Sequence, residues 1–138
     1  MKRILTAIIT GSLLASAPVV ASAAEFLLID TAEAKIEGNK VTGVGAEIDR
    51  QGYIVLHDEC NGAAPASLGH LRLDDGKRYE NLSISSEMGT IDPACNSTLM
   101  LHYETNNNQS YDFGPGSTEE DTPAMNAGQV VSEPVKAM

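Results

Sequence analysis

Short apolar runs separated by turn-forming residues make up the chain from Phe26 onward. About seven or eight such runs occur at a spacing of roughly 8–15 residues, and helical periodicity is almost absent, which is the pattern of short antiparallel strands. We therefore predict an all-β fold, an antiparallel β-sandwich of immunoglobulin-like or cupredoxin-like type with about seven to eight short strands.

A first turn signal predicts a hairpin in the middle of the chain. The segment Asp49–Gly52 suits a type I turn, which would place Ile48 opposite Ile54 and Ala46 opposite Leu56. Alternation along the two strands then collects one apolar face. Its predicted members are Val44, Ala46, Ile48, Ile54, Leu56 and Cys60.

Further turn signals follow. The pair Asp75-Gly76 predicts a second hairpin, and Asn106–Asn108 predicts the tip of a third. The segment Gly128–Val135 predicts a last strand at a sheet edge, where Pro134 is tolerated because no neighbour needs its missing N–H group. The second hairpin would share an apolar face formed by Leu71, Leu73, Leu82 and Ile84.

The start of the domain is ambiguous. Phe26–Ile29 predicts a first strand. After it, Asp30 as N-cap, Glu33 at the third helical position and Gly38 past the end would suit a short helix. The same residues equally suit a strand that enters a hairpin at Gly38 and Asn39, and both interpretations stay open.

The N-terminus has the features of a secretory signal peptide. Lys2 and Arg3 precede the apolar segment Ile4–Leu14, and a small-residue cleavage signal follows. We predict a signal peptide at residues 1–23 and one mature domain at residues 24–138. No later segment is apolar enough to span a bilayer, so we expect a secreted or periplasmic protein without membrane insertion after cleavage.

The charge balance excludes some partners. The formal net charge is −10, and loss of Lys2 and Arg3 with the signal peptide makes it more negative by two. Nucleic acids and anionic membranes need a basic surface, so neither is an expected partner. Divalent metals and cationic partners remain compatible, and acidic residues also keep an exported protein dispersed.

The chain has two cysteines, Cys60 and Cys95. In an oxidising compartment an even count favours one disulfide. It would close a loop of about 36 residues and contribute about 3–4 kcal/mol in the chain-entropy model. Strand alternation puts both thiols on the apolar side, as a buried bridge requires.

Several short motifs occur in order along the chain: "GYIVLHDE", then "LHYET", "YDFGPG", "DTP" and "VV". In this order the chain resembles a family of secreted and cell-surface β-sandwich domains of unknown function, over roughly residues 41–136. The resemblance implies that "GPGSTEEDTP" is an ordered connection inside the domain, although its composition alone is typical of a linker. It implies no activity, and a cysteine pair is not a general feature of that family.

Two copies of a His-x-Glu pattern are the candidate chemistry. His57 and Glu59 share one strand face, as do His102 and Glu104. Imidazole suits Cu or Zn, and a carboxylate can complete the ligand set. The third histidine, His70, faces away from its leucine neighbours and is expected to be an ordinary surface residue.

The predicted register separates the two patterns. If Cys60 lies opposite Cys95 on adjacent antiparallel strands, His57 lies opposite Thr98. His102 is then four residues further along, about 13 Å away at ~3.3 Å per residue, which is too far for a shared ion. A shifted register would bring the two closer, and a bridge that joins the two sheets would remove this constraint. The alternative is that each histidine forms a local hydrogen bond on a half-buried sheet face.

The function that these patterns favour is that of a non-enzymatic, exported binding or surface module of unknown ligand. No nucleophile elbow is present, and adjacent carboxylates such as Asp58 and Glu59 diverge on a strand. The first alternative is an envelope protein that binds Cu or Zn through the paired His-x-Glu residues. The second is an inhibitor of a basic secreted enzyme, which an acidic domain would suit electrostatically.

Overall fold

A computed structural model of the protein describes residues 27–74, 76–116 and 120–136. The predicted signal peptide, residues 1–23, lies outside these ranges. In the described part of the chain no helix is long and apolar enough to cross a membrane.

The described residues are almost entirely strand and loop, which confirms the all-β prediction. The described ranges contain one short 3₁₀ helix, Pro93–Cys95, and ten short strands, somewhat more than the seven or eight predicted. The strands are β1 (Leu28–Asp30), β2 (Lys35–Glu37), β3 (Lys40–Ile48), β4 (Gly52–His57), β5 (Gly69–Leu73), β6 (Lys77–Ser85), β7 (Thr98–Tyr103), β8 (Met125–Asn126), β9 (Gln129–Val130) and β10 (Ser132–Pro134).

Two antiparallel four-stranded sheets form the sandwich. In the first sheet β3 is central, with β6 on one side and β1 and β2 in succession on the other. In the second sheet the order is β10-β7-β4-β5. The short pair β8–β9 forms a separate hairpin.

The apolar core lies between the two sheets and takes its side chains from both. Alternation along each strand turns every second residue inward, so the strongest apolar positions of the sequence meet across the sandwich. The buried members of this core are Ile29, Ala34, Val41, Val44, Ala46, Ile48, Ile54, Leu56, Leu68, Leu73, Ile84, Ile91, Leu99, Leu101, Ala124 and Val135.

The two central hairpin predictions are wrong in their pairing. β3 belongs to the first sheet and β4 to the second, so the turn after Ile48 crosses between sheets. The turn after Leu73 also crosses, from β5 back to β6. The predicted apolar strand residues still pack into one core. Two strands need the same alternation of apolar residues whether they pair within one sheet or face each other from two sheets.

The ambiguity at residues 30–38 is resolved as a hairpin. β2 pairs with β3 around Gly38 and Asn39, with Glu37 opposite Lys40. A turn closed by the N–H group of Ala34 on the carbonyl of Thr31 separates β1 from β2. Both strands still pair with β3.

Gly43 of β3 makes room for the turn that separates β1 from β2 along the edge of β3. Its φ is +70°, and a Cβ atom there would collide with the carbonyl oxygen of Glu33. A residue without a side chain therefore lets the turn between β1 and β2 rest directly on β3.

The third hairpin prediction is also wrong, whereas the edge strand predicted at Gly128–Val135 is confirmed only for Ser132–Pro134, since Gln129–Val130 pairs with β8 instead. Among the described residues between β7 and β8, pairing back to β7 is limited to a single bridge between His102 and Pro123, and Tyr111 and Phe113 lie in irregular structure. β10 pairs with β7 at the edge of the second sheet and includes Pro134, as the missing N–H group requires.

Candidate functional site

The outer face of the second sheet is covered, although it points away from the apolar core. All six residues of β4 are buried, including Tyr53, Val55 and His57, which alternate with the core residues. The covering segments are the loop 58–68 after β4 and the loop residues 104–116 and 120–124 after β7, whose carbonyls and rings contact the histidines. We call these outward side chains and the loop residues that contact them the outer layer.

His57 is held by the loop that follows it. Its ring Nδ1 lies 2.7 Å from the carbonyl oxygen of Ala66 and 3.1 Å from that of Gly62. Since carbonyls only accept, Nδ1 carries a proton and donates, and in the neutral tautomer with this donor the lone pair lies on Nε2. The side chain is 4% exposed.

Asp58 shapes that loop. Its Oδ1 accepts the backbone N–H groups of Cys60, Asn61 and Gly62, at 3.1, 2.7 and 2.6 Å. An Asp that binds the amides just after it closes a tight turn. This turn brings the carbonyl of Gly62 onto His57, so Asp58 is a positioning residue for the imidazole.

His102 is held in the same way by the other loop. Its Nδ1 donates to the carbonyl oxygen of Asp121 at 2.6 Å, and the residue is fully buried. The rings of Tyr111 and Phe113 pack against it, with centroids 5.3 and 5.0 Å away.

The Asp121 carboxylate anchors this second loop. It accepts the N–H groups of Thr105 at 3.0 Å and Asp112 at 2.8 Å. Burial raises its pKa, the two amide hydrogen bonds lower it, and the nearby Glu104 carboxyl raises it further, with a net rise. The predicted "GPGSTEEDTP" connection is thus ordered at Asp121, as the family resemblance implies.

The two imidazoles meet at the centre of the outer layer. Their ring centroids are 6.1 Å apart, and the ring planes are inclined by 34°. Neither Nε2 atom has a hydrogen-bond partner among the described residues, and the hydroxyl of Tyr111 has none there either. Burial lowers the pKa of His102 to about 4 and outweighs the hydrogen bond to the Asp121 carbonyl, which raises it; the nearby His57 adds a smaller lowering.

The predicted register is confirmed, but the predicted distance is wrong. His57 lies opposite Thr98, and His102 lies opposite Tyr53. The predicted distance of about 13 Å is the separation of the two backbone positions along the strand direction. Side chains lean along the strand direction, and the two imidazoles lean toward each other until the rings are 6.1 Å apart.

The two glutamates of the His-x-Glu patterns do not join the histidines. β4 ends at His57, so strand alternation does not extend to Glu59, which is exposed and accepts a hydrogen bond from Asn96. Glu104 accepts the hydroxyl of Tyr53 at 2.6 Å and two loop amides. Across the described ranges no group of three or more His, Cys, Asp or Glu residues could hold a metal ion.

Hydrogen bonding at Glu104 has electrostatic consequences. Burial raises the pKa of Glu104, but hydrogen bonds from Tyr53 and the amides of Gln109 and Asn107 outweigh it and lower the pKa overall. Burial and the contact with Glu104 raise the pKa of Tyr53. Glu104 is therefore an ionised anchor of its loop.

Cys60 and Cys95 form the predicted disulfide, with Cα atoms 5.5 Å apart. It lies just beyond the paired ends of β4 and β7, where the N–H group of Glu59 also donates to the carbonyl of Cys95. The predicted burial is confirmed for Cys95 but wrong for Cys60, which is exposed. The chain has already left the strand there, so alternation no longer applies.

His70 lies on the same outer face, opposite Val55. It is partly buried rather than an ordinary surface residue, and its ring packs against Tyr111 with centroids 4.9 Å apart. It also contacts Tyr53 edge-on, at 5.8 Å. His70 therefore completes the aromatic surround of the outer layer.

Sequence reasoning did not identify Asp58, Asp121 and Tyr111 as parts of the site. For Asp58 a signal was present, since Asp followed shortly by Asn61-Gly62 is typical of a turn closed by the carboxylate. For Asp121 the Asp-x-Pro turn is visible in the sequence, but the residue that its carbonyl contacts, His102, is 19 residues away in sequence. Nothing local indicates that Tyr111 covers His102.

Comparison with known proteins gives a family but no activity. The sequence model of one family, described as Domain of unknown function (DUF7282), matches residues 28–137. The chain belongs to this family, which agrees with the resemblance drawn from its motifs. Searches of curated proteins and of solved structures found no match.

Proposed function

We propose that the mature domain is a non-enzymatic binding module that works outside the cytoplasm, and that its ligand is a transition-metal ion held by His57 and His102. The observation that carries this proposal is the pair of buried imidazoles whose Nε2 atoms have no partner among the described residues. A buried polar atom left unpaired costs about 1–3 kcal/mol. One metal ion would satisfy both nitrogens together.

The way each ring is anchored supports metal binding. Metal-binding histidines usually donate the second ring nitrogen to a carbonyl or carboxylate, which fixes the ring and selects the tautomer. Both His57 and His102 donate Nδ1–H to backbone carbonyls. Each Nε2 lone pair is thereby directed by a rigid backbone contact.

The protonation state of His102 also supports metal binding. A proton and a metal ion compete for the same imidazole lone pair. With a pKa of about 4, caused first by burial, His102 is neutral at physiological pH. An ion therefore need not displace a proton from this ring.

The proposed location outside the cytoplasm and the proposed non-enzymatic role are supported by other features. The Cys60–Cys95 disulfide is compatible with an oxidising, secreted or periplasmic setting. It also leaves neither cysteine as a free nucleophile. The negative net charge favours the approach of cations. Reproducible turnover by the metal-free protein in a broad hydrolase screen would contradict the non-enzymatic part.

The metal-binding part is tested on purified mature protein from which metal has been removed. Calorimetry measures Zn(II) and Cu(II), and competition with a coloured chelator measures Cu(I). We expect one ion per chain from at least one of these titrations, and loss of binding in His57→Ala and His102→Ala.

His70→Ala is the matched control, since it removes a third imidazole from the same sheet face and should retain binding. Circular dichroism and a thermal melt verify that each variant is folded. An affinity unchanged in both His57→Ala and His102→Ala would overturn the proposal.

A further inference from the structure

We infer that the ion is Cu(I) and that the thioether sulfur of Met100 is its third ligand. This inference rests on the proposed metal-binding function and specifies its ligand. It names a residue that no His-x-Glu pattern contains.

Met100 lies between the two histidines on the outer face. Its neighbours Leu99 and Leu101 are fully buried in the apolar core, so alternation turns Met100 outward. It pairs with Val55 in the register of β4 and β7.

This pair is midway between the two imidazoles. His57 is two residues beyond Val55 on β4, and His102 is two residues beyond Met100 on β7. Because the strands are antiparallel, the two histidines lie on opposite sides of the pair and lean inward across it. Met100 is therefore the residue of β7 that lies between the two imidazole rings, at the place where they approach each other.

The number of available ligands argues against zinc. Structural zinc sites have four protein ligands and catalytic sites have three. Glu59 and Glu104 are engaged by Asn96 and by Tyr53 with its loop amides. Two imidazoles and one thioether form a small, neutral set, and Cu(I) is stable with two or three such ligands.

The chemical softness of the ligands and the charge of the site also favour Cu(I). A thioether and two imidazoles are soft or intermediate ligands that suit Cu(I), whereas Mg, Ca and Mn prefer oxygen ligands. Burial of a charge is costly, and the electrostatic part of this penalty grows with the square of the charge. Among the described residues, Glu59, Glu104 and Asp121 already accept other hydrogen bonds, so this buried site favours a monovalent ion.

The spacing of the rings fits one shared ion. Nε2 lies roughly 1 Å from the ring centre, so two imidazoles that bind one ion with bonds of ~2 Å on nearly opposite sides have centroids about 6 Å apart. The measured separation is 6.1 Å. A tetrahedral arrangement would bring the rings closer together.

The test measures how metal-free mature protein, with its disulfide intact, withdraws Cu(I) from bathocuproine disulfonate in ascorbate. We expect one Cu(I) per chain, with a Kd at least tenfold weaker in Met100→Leu. His70→Ala should bind as the native protein does. Met100→Leu nearly conserves volume and should fold, which a thermal melt of the variant verifies.

X-ray absorption of the copper-loaded native protein gives a readout that does not depend on any variant. It should show two nitrogen neighbours near ~2.0 Å together with one sulfur neighbour. Nitrogen neighbours alone would overturn the role of Met100.

The outcomes separate this inference from the proposal on which it rests. Tighter binding of Zn(II) or Cu(II) than of Cu(I), dependent on His57 and His102, would overturn the inference and leave the proposed function standing. An equal Cu(I) affinity in Met100→Leu would also overturn it. If no ion binds, or if binding survives both histidine substitutions, both fail.

Discussion

The two faces of β4 are both buried, yet they are stabilised in different ways. On the inner face Ile54 and Leu56 are fully buried among apolar side chains from both sheets. On the outer face Tyr53 and His57 are nearly as buried, but each carries a polar atom that bonds to a loop. One strand thus separates an apolar core from a layer in which hydrogen bonds determine the arrangement.

This difference shows where the molecule can hold chemistry. Apolar burial is non-directional, so the inner face needs only suitable volume and shape. A buried polar group needs a partner at a defined distance and angle. The outer layer therefore positions His57 and His102 through specific carbonyls, and it leaves their Nε2 atoms without a hydrogen-bond partner among the described residues.

The largest effect is expected on the inner face. Leu101→Ala removes a fully buried side chain from β7, and should lower the free energy of unfolding by about 4 kcal/mol through lost burial and a residual cavity. Denaturant titration measures this loss. Met88→Ala, at a side chain that is 63% exposed, is the control and should change stability little. A loss below that of the outer-layer variants would contradict the comparison.

The disulfide tests whether the outer layer can loosen separately. Replacing Cys60 and Cys95 together by Ser should lower the free energy of unfolding by about 3 kcal/mol, because the unfolded chain loses a constraint on a loop of ~36 residues. Hydrogen exchange should rise most in the loop 58–68, which begins at the bridge, and least in β3. A uniform rise would mean that the two layers open as one unit.

The smallest of the three effects is expected at Asp58. Asp58→Ala leaves three loop amides without their acceptor, and should lower the free energy of unfolding by about 2 kcal/mol. Asp58→Asn keeps the accepting oxygen and should lose less. Thermal melts of both variants check this, and equal losses would show that the carboxylate charge matters more than the turn.

The sequence predicted some parts of this arrangement well because they depend on local rules. Alternation identified the core residues of the strands, and the cysteine pair led to the register that puts His57 opposite Thr98. The edge strand at Pro134 followed from a missing N–H group. Each of these depends on backbone geometry that a few neighbouring residues decide.

Other parts could not be predicted because the same local pattern has two tertiary solutions. A turn after Ile48 reverses the chain whether the next strand stays in its sheet or crosses to the other one. Both solutions bury the same side chains. The choice depends on the pairing of strands distant in sequence, such as β3 with β6.

The sequence by itself determined the alternation of apolar and polar residues, the pairing of the two cysteines, and the presence of His57 and His102 on one face. Only the tertiary structure decided that this face is covered, that Asp121 anchors one imidazole and the loop after β4 the other, and that the rings approach to 6.1 Å. Periodicity specifies the direction in which a side chain leaves its strand. Its burial and its partners depend on which distant loops fold over it.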